Sequence, residues 1–152
     1  MYSCSMSWRV GGRSLKRIPE EGAGRWLLQA LDEFADAEDL RKRERFYLAL
    51  FNFQQAAEKA LKAYLYLKLE EPDVFMTHSV AELVEAAEKV DPVFSRVKRS
   101  KSLDGYYIPT RYPNGLPGGV PSRFYDDPIE AEEAGNLAKQ VIETVKAAFP
   151  AS

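Results

Sequence analysis

The feature that most constrains this chain is a long stretch without glycine or proline, RERFYLALFNFQQAAEKALKAYLYLKLEE, at residues 43–71. It extends over 29 residues and consists largely of strong helix formers. Its first half is apolar on nearly all sides, which predicts a helix in the middle of a bundle rather than on its surface. Pro72 follows and cannot continue a helical hydrogen-bond ladder. The sequence therefore predicts a helical protein built around this segment.

Further helix signals lie on both sides of this segment. Apolar residues recur at helical spacing from Trp26 onward, up to the charged cluster at residues 38–45. Downstream, Ser79 and Glu82 form a capping-box pattern, because the serine can cap the helix and the glutamate lies three residues later. We therefore predict a first helix starting at Trp26 and a third helix starting after Ser79.

Two Asp-Pro pairs mark the remaining helix starts. Asp91 and Pro92 predict a short basic helix through about Lys101, and Asp127 and Pro128 predict a final amphipathic helix. No segment alternates convincingly with period two, and none shows paired strand signals around a hairpin turn. We predict an all-α fold, an up-and-down bundle of four main helices plus one short helix.

The size and charge distribution of the chain indicate one domain with a basic start. The 152 residues suffice for one ordinary core, and five basic side chains against two acidic ones occupy residues 1–25. We predict a flexible basic tail at residues 1–24 and a helical domain at residues 25–149. Cys4 is the single cysteine, which favours a reducing cytoplasm, and no apolar run approaches the roughly 20 residues that span a membrane.

Several classes of chemistry are excluded by missing residues. His78 is the single histidine, so no mechanism that needs two histidines and no histidine metal cluster can operate. The sequence has no phosphate-binding Gly-x-x-x-x-Gly-Lys-Ser/Thr loop, no Gly-x-Gly-x-x-Gly and no Cys-x-x-Cys. We expect no metal and no cofactor, and we find no DNA-specific motif. The net charge of −2 predicts no strong attraction to nucleic acid or membrane as a whole.

A polar stripe follows the long central segment, with Gln55, Lys59 and Lys62 on one side and Glu58 four residues before Lys62. One interpretation is a solvated helix face with ordinary ion pairing, which contributes a few tenths of a kcal/mol. The other is a polar groove between helices, in which Lys59, Lys62 and His78 would contact a ligand. The sequence leaves both interpretations open.

The loop GYYIPTRYPNGLPGGVPSRFY, residues 105–125, concentrates rings and cations and has no acidic residue. Arg111 and Arg123 can make bidentate contacts to phosphate. Tyr106, Tyr107 and Tyr112 offer faces on which a nucleotide base could stack. The same residues also suit a loop that anchors itself on the helical core, or one that forms a dimer contact. Ligand binding, anchoring and dimerisation are thus alternative hypotheses for this loop.

Three segments in a fixed order carry a resemblance to a known family. EKALKAYLYL, then THSVAELV, then YYIPTRYPNG before a final acidic helix, together resemble the HEPN domain over about residues 25–149. This resemblance implies a helical bundle that is commonly a homodimer and is proposed to bind nucleotides. Many members are encoded beside a minimal nucleotidyltransferase and act with it as a toxin–antitoxin pair, and others are metal-independent ribonucleases that cut RNA.

The ribonuclease branch of that family carries an arginine followed, after four to six residues, by a histidine. Positions 71–73, where His78 would need the arginine, hold Glu, Pro and Asp, and positions 116–118 after Arg111 hold no histidine. We therefore expect a nucleotide- or nucleic-acid-phosphate-binding module that works with a separate nucleotidyltransferase subunit and is not an enzyme by itself. The alternatives are a divergent ribonuclease, with His78 brought close to an arginine by folding, and a purely dimeric interaction module.

Overall fold

The computed structural model describes residues 8–10, 13–15, 19–69 and 76–150. Its first elements are two short antiparallel strands, β1 (Trp8–Val10) and β2 (Arg13–Leu15), with Trp8 opposite Leu15. The expectation that no segment would form a hairpin was wrong here. Three residues per strand are too few for a visible period-two pattern, although the intervening Gly11–Gly12 is a typical hairpin-turn sequence.

Helix α1 (Pro19–Lys42) begins seven residues before the predicted start at Trp26. Proline suits the first turn of a helix, where its missing N–H has no helical partner. Gly22 and Gly24 lower the intrinsic helix propensity of this segment, but Gly22 packs against the ring of Tyr66. The boundary expected between residues 24 and 25 thus falls inside a helix. Half of the tail predicted at residues 1–24 lies outside the described residues, and its flexibility stays a prediction.

Helix α2 (Phe46–Lys68) follows after a three-residue connection, at residues 43–45. Glu44 adopts a left-handed conformation with φ of 61°, and the Arg45 amide donates to the Leu40 carbonyl at 2.8 Å. This tight turn reverses the chain. The pairs formed by α1 and α2 confirm an antiparallel arrangement, since early residues of α1 meet late residues of α2; they are Gly22 with Tyr66, Glu33 with Lys59, and Phe34 with Phe53.

Helix α3 (Val80–Val90) starts where the sequence predicts, with the Ser79 hydroxyl accepting a hydrogen bond from the Glu82 amide. A 3₁₀ helix (Pro92–Tyr106) follows and is capped by Asp91, whose carboxylate accepts from the Val93 amide at 2.9 Å. It is bent at Val97 and extends five residues beyond the predicted end at Lys101. This longer helix carries the chain back to the start of α3.

The loop at residues 105–125 is more regular than the sequence suggests. It contains a 3₁₀ turn (Pro113–Gly115) and a short helix α4 (Pro121–Phe124), each started by one of its prolines. Helix α5 (Pro128–Ala147) then closes the bundle, with the Asp127 carboxylate accepting from the Ile129 amide as predicted. Proline therefore sets local helix starts in this loop rather than simply excluding structure.

Helix α2 lies at the centre of the bundle and contributes fourteen buried residues. Helix α5 approaches it closely at Gly135, where an added Cβ would lie 3.0 Å from Phe53 and 3.3 Å from the Glu38 carboxylate. The all-α prediction is confirmed, with α1, α2, α3 and α5 as the main helices and the 3₁₀ helix beside them. Among the described residues, no helix combines the length and apolar character that a membrane crossing requires.

Candidate functional site

The polar stripe on α2 is partly buried, and its Glu58 and Lys62 lie inside the protein. Gln54 is fully buried, and Glu58 and Lys62 are each 2% exposed. The Lys62 Nζ donates to the Glu58 Oε2 at 3.0 Å, and it also lies 5.7 Å from the centre of the Trp26 ring. The interpretation of a solvated face is therefore wrong for this pair. The sequence shows the i, i+4 spacing, but burial depends on which elements cover that side of α2.

His78 connects this buried pair to the surface. Its Nδ1 lies 3.4 Å from the Glu58 Oε2, while its side chain is 59% exposed. The backbone carbonyl of His78 accepts a hydrogen bond from the Gln54 Nε2 at 3.0 Å, which ties the loop before α3 to α2. The imidazole thus contacts the buried carboxylate at its Nδ1 edge, and more than half of the side chain is exposed.

Tyr107 stacks on His78 from the 105–125 loop. The two ring centres are 5.4 Å apart and the ring planes are inclined by 16°. Tyr107 also packs against Phe51 of α2, with ring centres 6.2 Å apart. These contacts attach the start of the loop to α2 and to the segment before α3, as the anchoring hypothesis requires.

Arg111 lies over three rings in this region. Its guanidinium carbon is 4.7 Å from the centre of Phe51, 4.5 Å from Tyr107 and 5.0 Å from Tyr112. Its Nε donates to the Tyr107 carbonyl at 2.7 Å. Within the described parts of the chain, its two Nη groups form no hydrogen bond or ion pair. The guanidinium is therefore oriented by stacking and one hydrogen bond, while most of its donors stay available.

His78 and Arg111 are close in space although 33 positions separate them in the sequence. Both contact the Tyr107 ring, at 5.4 Å and 4.5 Å from its centre, so they are at most about 10 Å apart. We call His78, Tyr107, Arg111, Tyr112 and Phe51 the Arg111 cluster. It unites four of the eight residues that the sequence singled out, namely His78, Tyr107, Arg111 and Tyr112.

Asp104 holds the start of α3, directly after His78 in the chain, and was missed by sequence reasoning. Its carboxylate accepts hydrogen bonds from the amides of Val80 at 2.7 Å and Ala81 at 2.9 Å, and from the Ser79 hydroxyl at 2.9 Å. An anion at a helix N-terminus is favourable because the free amides and the helix dipole attract negative charge. The sequence feature that could have identified it is that Asp104 is the single acidic residue in the basic segment 95–125.

Tyr106 points to a different part of the protein from its neighbour Tyr107. Its hydroxyl donates to the Glu130 Oε2 at 2.8 Å, and its ring meets Tyr125 edge-on with centres 6.0 Å apart. Burial, and next the hydrogen bond to Glu130, raise the pKa of Tyr106 well above its ordinary value. Tyr106 lines a cleft of about 340 Å³ together with Arg99 and α5 residues. It anchors the loop and does not join the Arg111 cluster.

The two remaining candidates also lie apart from the cluster in their contacts. Lys59 donates to the Glu33 Oε1 at 2.9 Å and to the Gln55 Oε1 at 3.1 Å, so its donors are engaged between α1 and α2. Arg123 is exposed on α4, and its side chain forms no hydrogen bond, ion pair or ring contact with another described residue. The described residues contain no group of carboxylates, histidines and cysteines that could hold a metal.

The fold and cluster define a class of protein: a small helical bundle whose central helix carries a buried ion pair beneath a surface arginine, histidine and tyrosines. The family profile of the HEPN domain matches residues 23–148. The chain belongs to the HEPN domain family, which confirms the resemblance.

Two solved structures are similar to this chain. The crystal structure of TT1696 from Thermus thermophilus shares 35% identity and a TM-score of 0.72, covering 82% of this chain and 96% of that one. The crystal structure of ST0689, described as an archaeal HEPN homologue, shares 26% identity and a TM-score of 0.64, covering 84% and 98%. No curated protein sequence matches the chain.

Proposed function

We propose that this protein binds the phosphate of a nucleotide or of RNA at the Arg111 cluster. The proposal rests on the contacts of Arg111. Its guanidinium is stacked among three rings, and only its Nε donates a hydrogen bond to another described residue. A planar fork of free donors matches the oxygens of a phosphate. Stacking before the ligand arrives reduces the entropy that the arginine loses on binding.

The rings supply the second part of the ligand site. Tyr112 is 48% exposed and lies beside the guanidinium, so its free face can stack against a base while Arg111 holds a phosphate. His78 adds a ring nitrogen at the solvent side of the cluster. The proposal retains Arg123 as a more distant phosphate contact, and it no longer assigns Tyr106 to base stacking, because Tyr106 is engaged by Glu130.

We further propose that the protein acts as a homodimer in the cytoplasm with a separate nucleotidyltransferase subunit, as a toxin–antitoxin pair. Family membership supports this partnership, and the single cysteine supports the compartment. Affinity purification from the native cell, with mass spectrometry of proteins and bound small molecules, tests it. Recovery of a nucleotidyltransferase is the expected result, and its absence from repeated purifications would contradict the partnership.

Calorimetric titration with ATP, GTP and a short RNA tests phosphate binding directly. We expect heat of binding with at least one of these ligands, and a loss of about tenfold or more in affinity for Arg111→Ala. Lys98→Ala is the matched control, since it removes one positive charge from a surface pair with Glu88. No binding to the unchanged protein at millimolar ligand, together with dimer dissociation by Arg111→Ala, would instead establish the pure interaction module.

A specific observation also favours the ribonuclease alternative. Folding brings His78 within about 10 Å of Arg111, and the Glu58 carboxylate lies at the Nδ1 of His78, although the Arg-x4-6-His spacing is missing. A histidine held by a carboxylate and placed near an arginine is a suitable arrangement for acid–base chemistry at a phosphate. Incubation with structured and unstructured RNA tests this. Cleavage that His78→Ala abolishes would support it, and intact RNA would rule it out.

A further inference from the structure

Glu58 is an energetically unfavourable residue to bury in the interior of a small bundle. Its carboxylate is buried with the Lys62 ammonium, and burying an ion pair costs free energy that a well-packed apolar pair would avoid. Its Oε1 is also buried and has no hydrogen-bond partner among the described residues. An unpartnered buried acceptor adds a further penalty, because the group has lost its hydrogen bonds to water. The stability of α2 does not account for this arrangement.

The geometry around Glu58 indicates what it does instead. Its Oε2 contacts both the Lys62 Nζ at 3.0 Å and the His78 Nδ1 at 3.4 Å. Lys62 is itself buried, whereas His78 is largely exposed and belongs to the Arg111 cluster, in which it stacks on Tyr107. The carboxylate thus reaches the candidate ligand surface through the imidazole, while the lysine compensates its charge inside the protein.

We infer that Glu58 is a positioning residue that fixes the orientation and the tautomer of His78. The carboxylate accepts the Nδ1–H, so the Nε2 is directed to the solvent side of the cluster. A neutral imidazole held this way presents an acceptor at Nε2, and a protonated one presents an Nε2–H donor to a phosphate oxygen. Stacking on Tyr107 keeps the ring plane in place. This inference rests on the proposed function only for its effect on ligand binding.

Because His78 is the single histidine, its ring nitrogens can be observed without overlap from other imidazoles. Long-range proton–nitrogen NMR on the full chain at alkaline pH identifies the neutral tautomer. We expect the Nδ1–H form in the unchanged protein. A dominant Nε2–H form, which free histidine favours, would overturn the inference before any variant is made.

Glu58→Met removes the acceptor at nearly constant volume, whereas glutamine would keep a carbonyl oxygen able to accept the Nδ1–H. We expect the Nδ1–H signal to give way to Nε2–H, and the affinity for ADP, used as the probe, to fall about tenfold. Glu33→Met is the matched control, because it removes a carboxylate that pairs with a different lysine of α2 and does not contact His78. The control should keep both the tautomer and the affinity of the unchanged protein.

The two readouts separate the inference from the proposed function. If the unchanged protein shows the Nδ1–H form but does not bind ADP, ATP, GTP or RNA, Glu58 still positions His78 and the proposed function fails. An unchanged tautomer in folded Glu58→Met overturns the inference. If that variant does not fold, Glu58→Asp is the second test, because it shortens the side chain by one methylene and keeps the charge beside Lys62. Retention of the Nδ1–H form in Glu58→Asp would also overturn the inference.

Discussion

The Arg111 guanidinium lies 4.5 Å above the Tyr107 ring and donates through its Nε to the backbone carbonyl of the same residue at 2.7 Å. One side chain thus both closes a turn of the loop and covers an aromatic face. The contacts restrict Arg111 to one orientation, in which its Nη groups remain free of described partners.

Arg111→Lys should separate charge from geometry. Lysine keeps the positive charge but lacks the planar fork and the stacking surface. We expect the affinity for ADP to fall about tenfold, because the bidentate contact is lost, while the free energy of unfolding falls by only about 1 kcal/mol. Calorimetry and urea unfolding measure the two effects. Arg123→Lys, at an exposed arginine outside the cluster, should weaken binding less, and an equal loss in both variants would contradict the special role of Arg111.

Lys62→Met should destabilise the protein strongly. The substitution leaves the buried Glu58 carboxylate without its counter-ion, and breaking a buried pair in this way costs about 3–5 kcal/mol. Urea unfolding followed by circular dichroism measures the change. The double substitution of Glu58→Leu with Lys62→Met should recover most of the loss, since both charges are then removed. Lys101→Met, which breaks a more exposed pair with Glu85, should cost less than about 1 kcal/mol.

Asp104→Ala should loosen the start of α3. The Asp104 carboxylate accepts from two backbone amides and one hydroxyl, so its removal should cost about 2–3 kcal/mol. Amide hydrogen exchange at Val80 and Ala81 should become faster. Asp91→Ala is the matched comparison, because that carboxylate accepts from one amide at the start of the next helix and should cost about 1 kcal/mol. Equal costs would show that the extra bonds of Asp104 contribute nothing.

The two glycines near the start of α1 should respond oppositely to alanine. At Gly24 an added Cβ meets nothing within 4 Å, so Gly24→Ala should stabilise the helix by about 0.5–1 kcal/mol. At Gly22 the Cβ would lie 2.5 Å from the Tyr66 ring, which would have to move. Gly22→Ala should therefore destabilise the protein, by about 1–3 kcal/mol. Thermal unfolding of both variants checks the difference in sign.

Tyr106→Phe should change the response of the protein to alkali. Because burial raises the pKa of Tyr106 in the folded state, the unfolded state releases this proton first, above about pH 10. The stability linked to this proton is therefore complete below that pH and is lost as the pH rises above it. Tyr106→Phe removes the hydrogen bond to Glu130, so its free energy of unfolding should be about 1 kcal/mol lower at neutral pH. That free energy should then fall less steeply with rising pH than it does in the unchanged protein. If the free energies of unfolding of the two proteins fell equally steeply in alkali, the raised pKa of Tyr106 would not contribute to stability.

Most helices could be predicted because their signals act within one or two turns. Ser79, Asp91 and Asp127 cap the helices that the sequence assigns to them, since an N-cap contacts amides only two or three residues away. The 3.6-residue apolar period predicted α5, and the absence of glycine and proline predicted α2. The start of α1 was predicted too late, because packing of Gly22 against Tyr66 overrides low local propensity.

The site depended on contacts between residues far apart in the chain. The sequence by itself determined the helical class, the main helix starts and an arginine- and tyrosine-rich loop, since all of these follow from local backbone preferences and spacing. Only the tertiary structure decided that Glu58 and Lys62 are buried, that Asp104 holds the start of α3, and that Tyr106 and Tyr107 face different partners. Burial and charge pairing depend on which helices and loops pack together, and the spacing of residues along the sequence does not specify that packing.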